Sequence, residues 1–299
     1  MSDFGLRSRT VLGGAGAAKV SWRAGLRGVV LAAFSLLAWI ALPEAARASE
    51  GARPTTNGAD TNKPVVVLVH GAWADGGSWS KVISRLQADG YTVVAPAIRM
   101  ASLSDDIAAT RKFITDLHAP VLLVGHSYGG AVITGAASGL TFVKGLVFLA
   151  AFAPDTGESV LALIAQFDSQ FGPSRVGPVL RPDGPLDNPQ TLIYLDRAQF
   201  GDVFAQDVDR ERAAVLAAAQ RPASAASFGE PLQVTPAWRQ IRSWYQVSTQ
   251  DRVIQPDGER SLAHRIGAET IEVDSSHASP VAHPEVIARI IEKAAQNSN

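Results

Sequence analysis

The chain has 299 residues, of which 46% are hydrophobic and 18% charged, and its formal net charge is −1. This is long enough for a single α/β domain with a sizeable core. The sequence contains no cysteine, which excludes disulfides, thiolate nucleophiles and cysteine-bound metal centres. The near-neutral charge argues against nucleic acid or an anionic membrane as a partner.

The first fifty residues are typical of a secretory signal peptide. Basic residues precede the apolar run from Val29 to Leu42, and the small residues Ala46 and Ala48 follow it. We predict cleavage after Ala48, so that residues 1–48 are removed and the protein is exported to the periplasm or secreted. An uncleaved membrane anchor is the alternative, but about 14 apolar residues fall short of the roughly 20 needed to span a bilayer. We therefore expect no stable membrane anchor after cleavage.

Residues 49–63 are polar and rich in residues that interrupt helices and strands, and we predict a flexible tether there. Residues 1–48 carry six Lys and Arg and two Asp and Glu, so their removal changes the formal net charge from −1 to −5. The mature protein is therefore expected to be mildly acidic.

From residue 64 onward, apolar runs alternate with helical patterns. Continuous apolar runs are typical of strands covered on both faces, and strand-helix alternation predicts a parallel sheet. We predict an α/β domain over residues 64–299, with a mostly parallel sheet of about six strands flanked by helices. The predicted strands are "VVVLVH", "TVVAPAI", "VLLVG", "GLVFLAA", "WYQVST" and "ETIEVDS".

The alternation stops between residues 154 and 238, where prolines interrupt shorter segments. A stretch this long needs structure of its own in a compact domain. We predict an inserted, small and mostly helical cap over the C-terminal edge of the sheet, which is where ligands bind in open α/β folds.

The motif Gly125-His126-Ser127-Tyr128-Gly129 follows one predicted strand and precedes a helix of small residues. In that context G-x-S-x-G places a serine hydroxyl on a strained turn at the sheet edge. The alternative is an inert helix cap, which needs only one small polar residue and no flanking glycines. We therefore predict that Ser127 is a nucleophile.

A nucleophilic serine needs a base and an acid, in the chain order Ser, acid, His. His277 follows the last predicted strand, at the same sheet edge as Ser127, and is the predicted base. A solvated loop histidine is the alternative. Asp251 follows the penultimate strand and is the predicted acid, with Asp155 and Asp274 as competitors. His283 precedes a proline at a helix start, and its role is expected to be structural.

An oxyanion hole is the fourth expected part of this site. The loop after the first strand, together with the residue after the nucleophile, can aim two backbone N–H groups at one point. We predict that Ala72 and Tyr128 supply them.

Four segments together resemble the α/β-hydrolase superfamily, and within it the small-capped esterase and hydroxynitrile-lyase branch: "VVVLVHGAWADGGSW", "GHSYGG", "STQDRVIQP" and "SSHASPVAHPE". The resemblance spans Val65 to Ala295 and implies the same triad and oxyanion hole. Hydroxynitrile lyases of this branch carry a lysine after the base histidine and a threonine in the oxyanion loop. Here those positions are Ala278 and Gly71, which disfavours the lyase reaction; dehalogenases are excluded because they carry aspartate in place of Ser127.

The resemblance implies a serine carboxylesterase that acts on small hydrophobic esters through an acyl-enzyme. A non-hydrolytic ligand-binding homologue and a perhydrolase remain alternatives. Trp73, Phe152 and Trp238 are the predicted substrate-binding residues, although each is also compatible with a core position. No cofactor or metal is implied, because no ligand spacing is present. The sequence does not predict the oligomeric state.

Overall fold

The computed structural model describes residues 63–298. The predicted signal peptide, and all of the predicted tether except residue 63, lie outside the described residues. No helix between residues 63 and 298 is long and apolar enough to cross a bilayer.

The centre of the structure is a six-stranded sheet in the order β2-β1-β3-β4-β8-β9, with every neighbouring pair parallel. This confirms the predicted α/β class and mostly parallel sheet. The second strand is much shorter than predicted from "TVVAPAI", because Pro96 lacks the N–H that a continued ladder needs. The strands are β1 (Val65–Val69), β2 (Val93–Val94), β3 (Val121–His126), β4 (Val143–Leu149), β8 (Ser243–Ser248) and β9 (Glu269–Val273).

Helices cover both faces of this sheet. Side chains alternate between the two faces of β1: Val66 and Leu68 pack with α1 and α10, whereas Val67 and Val69 join the core that includes α2, α3 and α8. Trp79 is 1% exposed and lies in the core that contains Val66 and Leu68, as expected for a packing residue. The helices are α1 (Ser80–Ala88), α2 (Leu103–Asp116), α3 (Tyr128–Ala136), α8 (Pro256–Arg265), α9 (Ser279–Ala282) and α10 (Pro284–Gln296).

The segment between β4 and β8 contains four helices and a small antiparallel sheet. The helices are α4 (Val160–Phe171), α5 (Phe200–Phe204), α6 (Arg210–Ala219) and α7 (Ala225–Gly229). The sheet was not predicted from the sequence, because its strands are only two to four residues long and lack a readable alternation. Its strands are β5 (Leu180–Pro182), β6 (Leu192–Leu195) and β7 (Ala223–Ser224).

Candidate active site

Ser127 lies on a strained turn between β3 and α3. Its φ of 55° falls in the left-handed region, which costs free energy for any residue with a side chain. Backbone hydrogen bonds hold the turn in place: Ser127 N donates to Leu149 O at 3.2 Å, and Ser127 O accepts from Gly130 N and Phe152 N at 3.0 and 3.1 Å. The structure therefore has the strained strand-to-helix turn that the motif predicts.

Two glycines make room for this turn. A Cβ on Gly125 would lie 2.6 Å from Gly129 O, and a Cβ on Gly71 would lie 2.6 Å from the Cβ of Ser127. Real Cβ atoms do not approach other atoms this closely. The glycines are therefore required by packing around the serine, which explains why a simple helix cap does not account for the motif.

His277 and Asp251 form a buried pair. His277 Nδ1 lies 2.5 Å from Asp251 Oδ2, and both side chains are 0% exposed. Asp251 Oδ1 accepts from Val253 N at 2.6 Å and from Ile254 N at 2.9 Å. A carboxylate held this way keeps the proton of His277 on Nδ1 and leaves Nε2 as the basic nitrogen.

The two competing aspartates have other partners. Asp155 binds Arg239 at 2.5 Å, and Asp274 accepts from Thr249 Oγ1 at 3.3 Å. Of the three candidate acids, the structure places Asp251 against His277.

The Nε2 atom of His277 is buried and has no hydrogen-bond partner among residues 63–298. It is therefore not hydrogen-bonded to Ser127 in this structure. Catalytic hydrogen bonds in free enzymes are often long and tighten only when substrate binds. An unpartnered buried imidazole nitrogen is consistent with a site that is completed by its ligand.

Neutral His126 is bonded to the backbone carbonyl of His277. Its Nε2 lies 2.8 Å from His277 O, and the two rings are 4.8 Å apart. Burial, followed by the charge on His277, lowers the pKa of His126 to about 3. His126 therefore stays neutral near neutral pH and donates this hydrogen bond to His277 O.

The predicted oxyanion donors keep their backbone N–H groups available. Within the described part of the chain, neither Ala72 N nor Tyr128 N donates a hydrogen bond. The Tyr128 side chain turns away from the site, since its hydroxyl donates to Asp106 Oδ2 at 2.9 Å. Asp106, buried at 1% exposure, also accepts from Arg99 N and Met100 N. Sequence reasoning missed this anchor, because Asp106 lies in the first turn of a helix with no motif around it.

A cavity of about 140 Å³ adjoins Ser127 and is lined mostly by apolar side chains. Trp73 and Phe152, two of the residues expected to bind substrate, are among the residues that line it. The Trp73 indole N–H donates to Ile193 O at 2.9 Å, which fixes the ring against β6. Trp238 does not line this cavity: its indole N–H donates to Pro154 O at 3.2 Å, and Arg239 stacks on its ring. The expectation that Trp238 binds substrate finds no support in its position.

The inserted segment is bonded directly to the loop that carries His277. Phe204 O accepts from Ala278 N at 3.1 Å. Asp207 Oδ2 accepts from Ser275 Oγ at 2.9 Å and from Ser276 N at 2.8 Å. These bonds hold the loop on both sides of His277, and Asp207 was not predicted because its partners are distant in sequence.

No group of three or more His, Asp or Glu side chains suited to hold a metal ion is present between residues 63 and 298. The candidate site thus consists of Ser127, the Asp251 and His277 pair, two available backbone donors and an apolar cavity. This set is suited to acyl transfer through a covalent serine intermediate.

Known proteins with similar sequences include two esterase-like relatives. A carbendazim hydrolyzing esterase from Nocardioides sp. is 37% identical over 111 residues, which are 33% of this chain and 46% of that protein. A putative chloroplastic methylesterase from Arabidopsis thaliana is 27% identical over 203 residues, which are 63% of this chain and 52% of that protein. These two relatives are therefore matched over only about half of their own length.

Solved structures with the same fold are also known. An extracellular alpha/beta-hydrolase from a Paenibacillus species superposes with a TM-score of 0.64 at 23% identity, covering 78% of this chain and 99% of that one. The model of the alpha/beta hydrolase family matches residues 66–290, which is most of the chain. The protein belongs to the alpha/beta hydrolase family.

Proposed function

We propose that this protein is a serine carboxylesterase with the triad Ser127, His277 and Asp251. The observation that carries the proposal is the buried Asp251 and His277 pair, together with a serine at positive φ that lines an apolar cavity. The carbendazim hydrolyzing esterase and the putative methylesterase among its relatives support ester hydrolysis in general.

The mechanism has two steps. His277 Nε2 takes the proton of Ser127, whose oxygen attacks the ester carbonyl, while Ala72 N–H and Tyr128 N–H bind the oxyanion. The C–O bond to the alcohol then breaks, and His277 gives its proton to the departing alcohol. Water repeats these steps on the acyl-enzyme, which releases the acid and restores Ser127.

The cavity favours a small hydrophobic substrate. The cavity volume of about 140 Å³ is below the range of roughly 300–1,000 Å³ that is usual for ligand pockets. It fits a short alkyl or a single aryl group. Asp168 and Ser174 are the polar lining residues apart from Ser127. The side chain of Asp168 is already bonded to Ser174 N at 2.9 Å and to Gln255 Nε2 at 2.8 Å.

The test is hydrolysis of p-nitrophenyl esters, from acetate to dodecanoate, by the wild type and by Ser127→Ala. We expect turnover by the wild type, best for short chains, and a fall of about 10³-fold or more in Ser127→Ala. Ser80→Ala, an exposed serine on α1, is the matched control and should keep wild-type activity. Undiminished hydrolysis by Ser127→Ala would refute the proposal.

A non-hydrolytic ligand-binding protein is a second candidate, favoured by the absence of a hydrogen bond between Ser127 and His277. Rapid mixing with a p-nitrophenyl ester separates the two. An esterase releases p-nitrophenol in steady turnover over many equivalents of enzyme, whereas a binding protein releases none.

We also propose that the protein is exported and cleaved after Ala48. The basic residues and the apolar run before that position support this proposal. N-terminal sequencing of the exported protein should begin at Ser49; a start elsewhere would contradict cleavage at this site.

A further inference from the structure

A second carboxyl group lies beside the acid of the proposed triad. Glu259, on α8, is 0% exposed. Its Oε2 accepts from Ser248 N at 3.0 Å, whereas its Oε1 is buried and receives no hydrogen bond from any residue the structure describes. Asp251 is held by the same residue, since Asp251 N donates to Ser248 O at 3.1 Å, and the two carboxyl groups interact. The mechanism proposed above does not use Glu259.

Two interacting carboxyl groups in a buried site do not both ionise readily, so one of them keeps a proton. Asp251 receives three N–H donors, from Val253, Ile254 and His277. Glu259 receives one, from Ser248. Because donors stabilise the ionised form, the proton belongs on Glu259.

Other charged or titratable groups near Glu259 do not change this assignment. Arg260 points to solvent and pairs with Asp257 and Glu272. Tyr245 is buried and neutral, and its hydroxyl donates to Ala151 O at 2.5 Å. Burial, together with the charge of Asp251, raises the pKa of Glu259 well above its ordinary value.

We propose that Glu259 is a neutral carboxylic acid whose Oε1–H donates a hydrogen bond to Asp251 and so positions the acid of the triad. This inference rests on the proposed function. The bond fixes the Asp251 carboxylate against His277 Nδ1 and draws part of its negative charge away from the imidazole. Glu259 is thus a positioning residue that sets the basicity of His277 through Asp251.

Two variants separate this role from simple packing. Glu259→Gln keeps an acceptor for Ser248 N and an N–H donor for Asp251, whereas Glu259→Leu keeps neither. The acid limb of kcat/KM against pH reports the base of the free enzyme. We expect Glu259→Gln to keep the wild-type profile. Glu259→Leu should shift the acid limb upward by about half a pH unit or more, because Asp251 then stabilises the imidazolium more strongly. It should also lower kcat about 10-fold, because the Asp251 carboxylate is no longer held in one orientation.

Infrared difference spectra give a readout independent of activity. The wild type should show a protonated carboxyl C=O band that is lost in Glu259→Gln and kept in Glu269→Gln, a partly exposed glutamate paired with Lys293. This measurement also decides the proton assignment if Glu259→Leu does not fold.

The inference is overturned if the band is the same in Glu259→Gln and the wild type, or if Glu259→Gln shifts the acid limb downward as removal of a charge would. It is also overturned if folded Glu259→Leu keeps the wild-type profile and kcat. Loss of hydrolysis in Ser127→Ala together with any of these results leaves the proposed esterase function standing. Retained hydrolysis in Ser127→Ala would refute the proposed function, and with it the positioning role of Glu259. The infrared band would still show whether the Glu259 carboxyl is protonated.

Discussion

Nδ1 of His277 lies 2.5 Å from Oδ2 of Asp251, with neither side chain exposed to solvent. This contact fixes both the orientation and the tautomer of the histidine. Asp251→Asn should therefore lower kcat about 10⁴-fold, because an amide that donates to Nδ1 leaves the proton on Nε2. Steady-state hydrolysis of a p-nitrophenyl ester measures the change.

Asp155→Asn is the control for this prediction, since Asp155 pairs with Arg239 and not with the base. It should keep near-wild-type kcat. A larger loss in Asp155→Asn than in Asp251→Asn would assign the acid to Asp155.

Gly71 lies against the nucleophile turn. In Gly71→Ala the new Cβ would lie 2.6 Å from Ser127 Cβ and 2.9 Å from His126 O, both of which are held by the turn. We expect a loss of about 1–3 kcal/mol in the free energy of unfolding, as in other overpacked sites, and lower esterase activity as Ser127 moves. Denaturant unfolding and ester hydrolysis measure the two effects. Gly229→Ala, where nothing lies within 4 Å, is the control; equal effects in both variants would contradict the packing argument.

His126 predicts a pH dependence of stability. Its pKa is about 3 in the folded protein, against 6.5 for the unfolded residue. Between these values the unfolded chain binds more protons, so this contribution to stability is complete above pH 6.5 and is lost as pH falls. The loss approaches about 1.4 kcal/mol per pH unit between the two pKa values, and it stops below the folded pKa.

His126→Gln should therefore flatten the fall of the unfolding free energy between pH 6.5 and 5, where few carboxyl groups titrate. Urea unfolding at several pH values measures the slope. His264→Gln, an exposed histidine on α8, should leave the slope unchanged. The same slope in wild type and His126→Gln would show that burial of His126 is not the cause.

The cavity next to Ser127 predicts the preferred chain length. Ala225 lines it, at the start of α7. In Ala225→Phe the added ring occupies part of the cavity, whose volume is about 140 Å³. We therefore expect kcat/KM to fall more for a hexanoate than for an acetate ester. Val215→Phe, on the half-exposed side of α6, should leave the ratio unchanged. A uniform fall across chain lengths in Ala225→Phe would mean that the acyl group lies elsewhere.

Much of the sheet and of the candidate site was predictable, because both depend on local patterns. The apolar runs of a parallel sheet are continuous, as in β3, and the loops after β8 and β9 carry Asp251 and His277 in the order that a shared edge requires. Ser127 was recognisable because its glycines are required by the turn itself.

The residues that sequence reasoning missed depend on contacts between distant segments. Asp207 binds a loop about seventy residues further along the chain, and the role of Glu259 depends on a carboxyl group that folding brings beside it. The sequence does not distinguish an aromatic residue that faces the cavity from one that packs elsewhere. Trp238 was therefore expected at the cavity, whereas its indole N–H donates to Pro154 O.

The measurement that tests the central claim most directly is covalent labelling of the active protein with a p-nitrophenyl phosphonate, followed by peptide mass mapping. We expect one adduct per chain, on Ser127, formed much more slowly in His277→Ala and absent in Ser127→Ala. A protein that hydrolyses esters yet carries its adduct on another residue, or carries none, would contradict the assignment of Ser127 as the nucleophile.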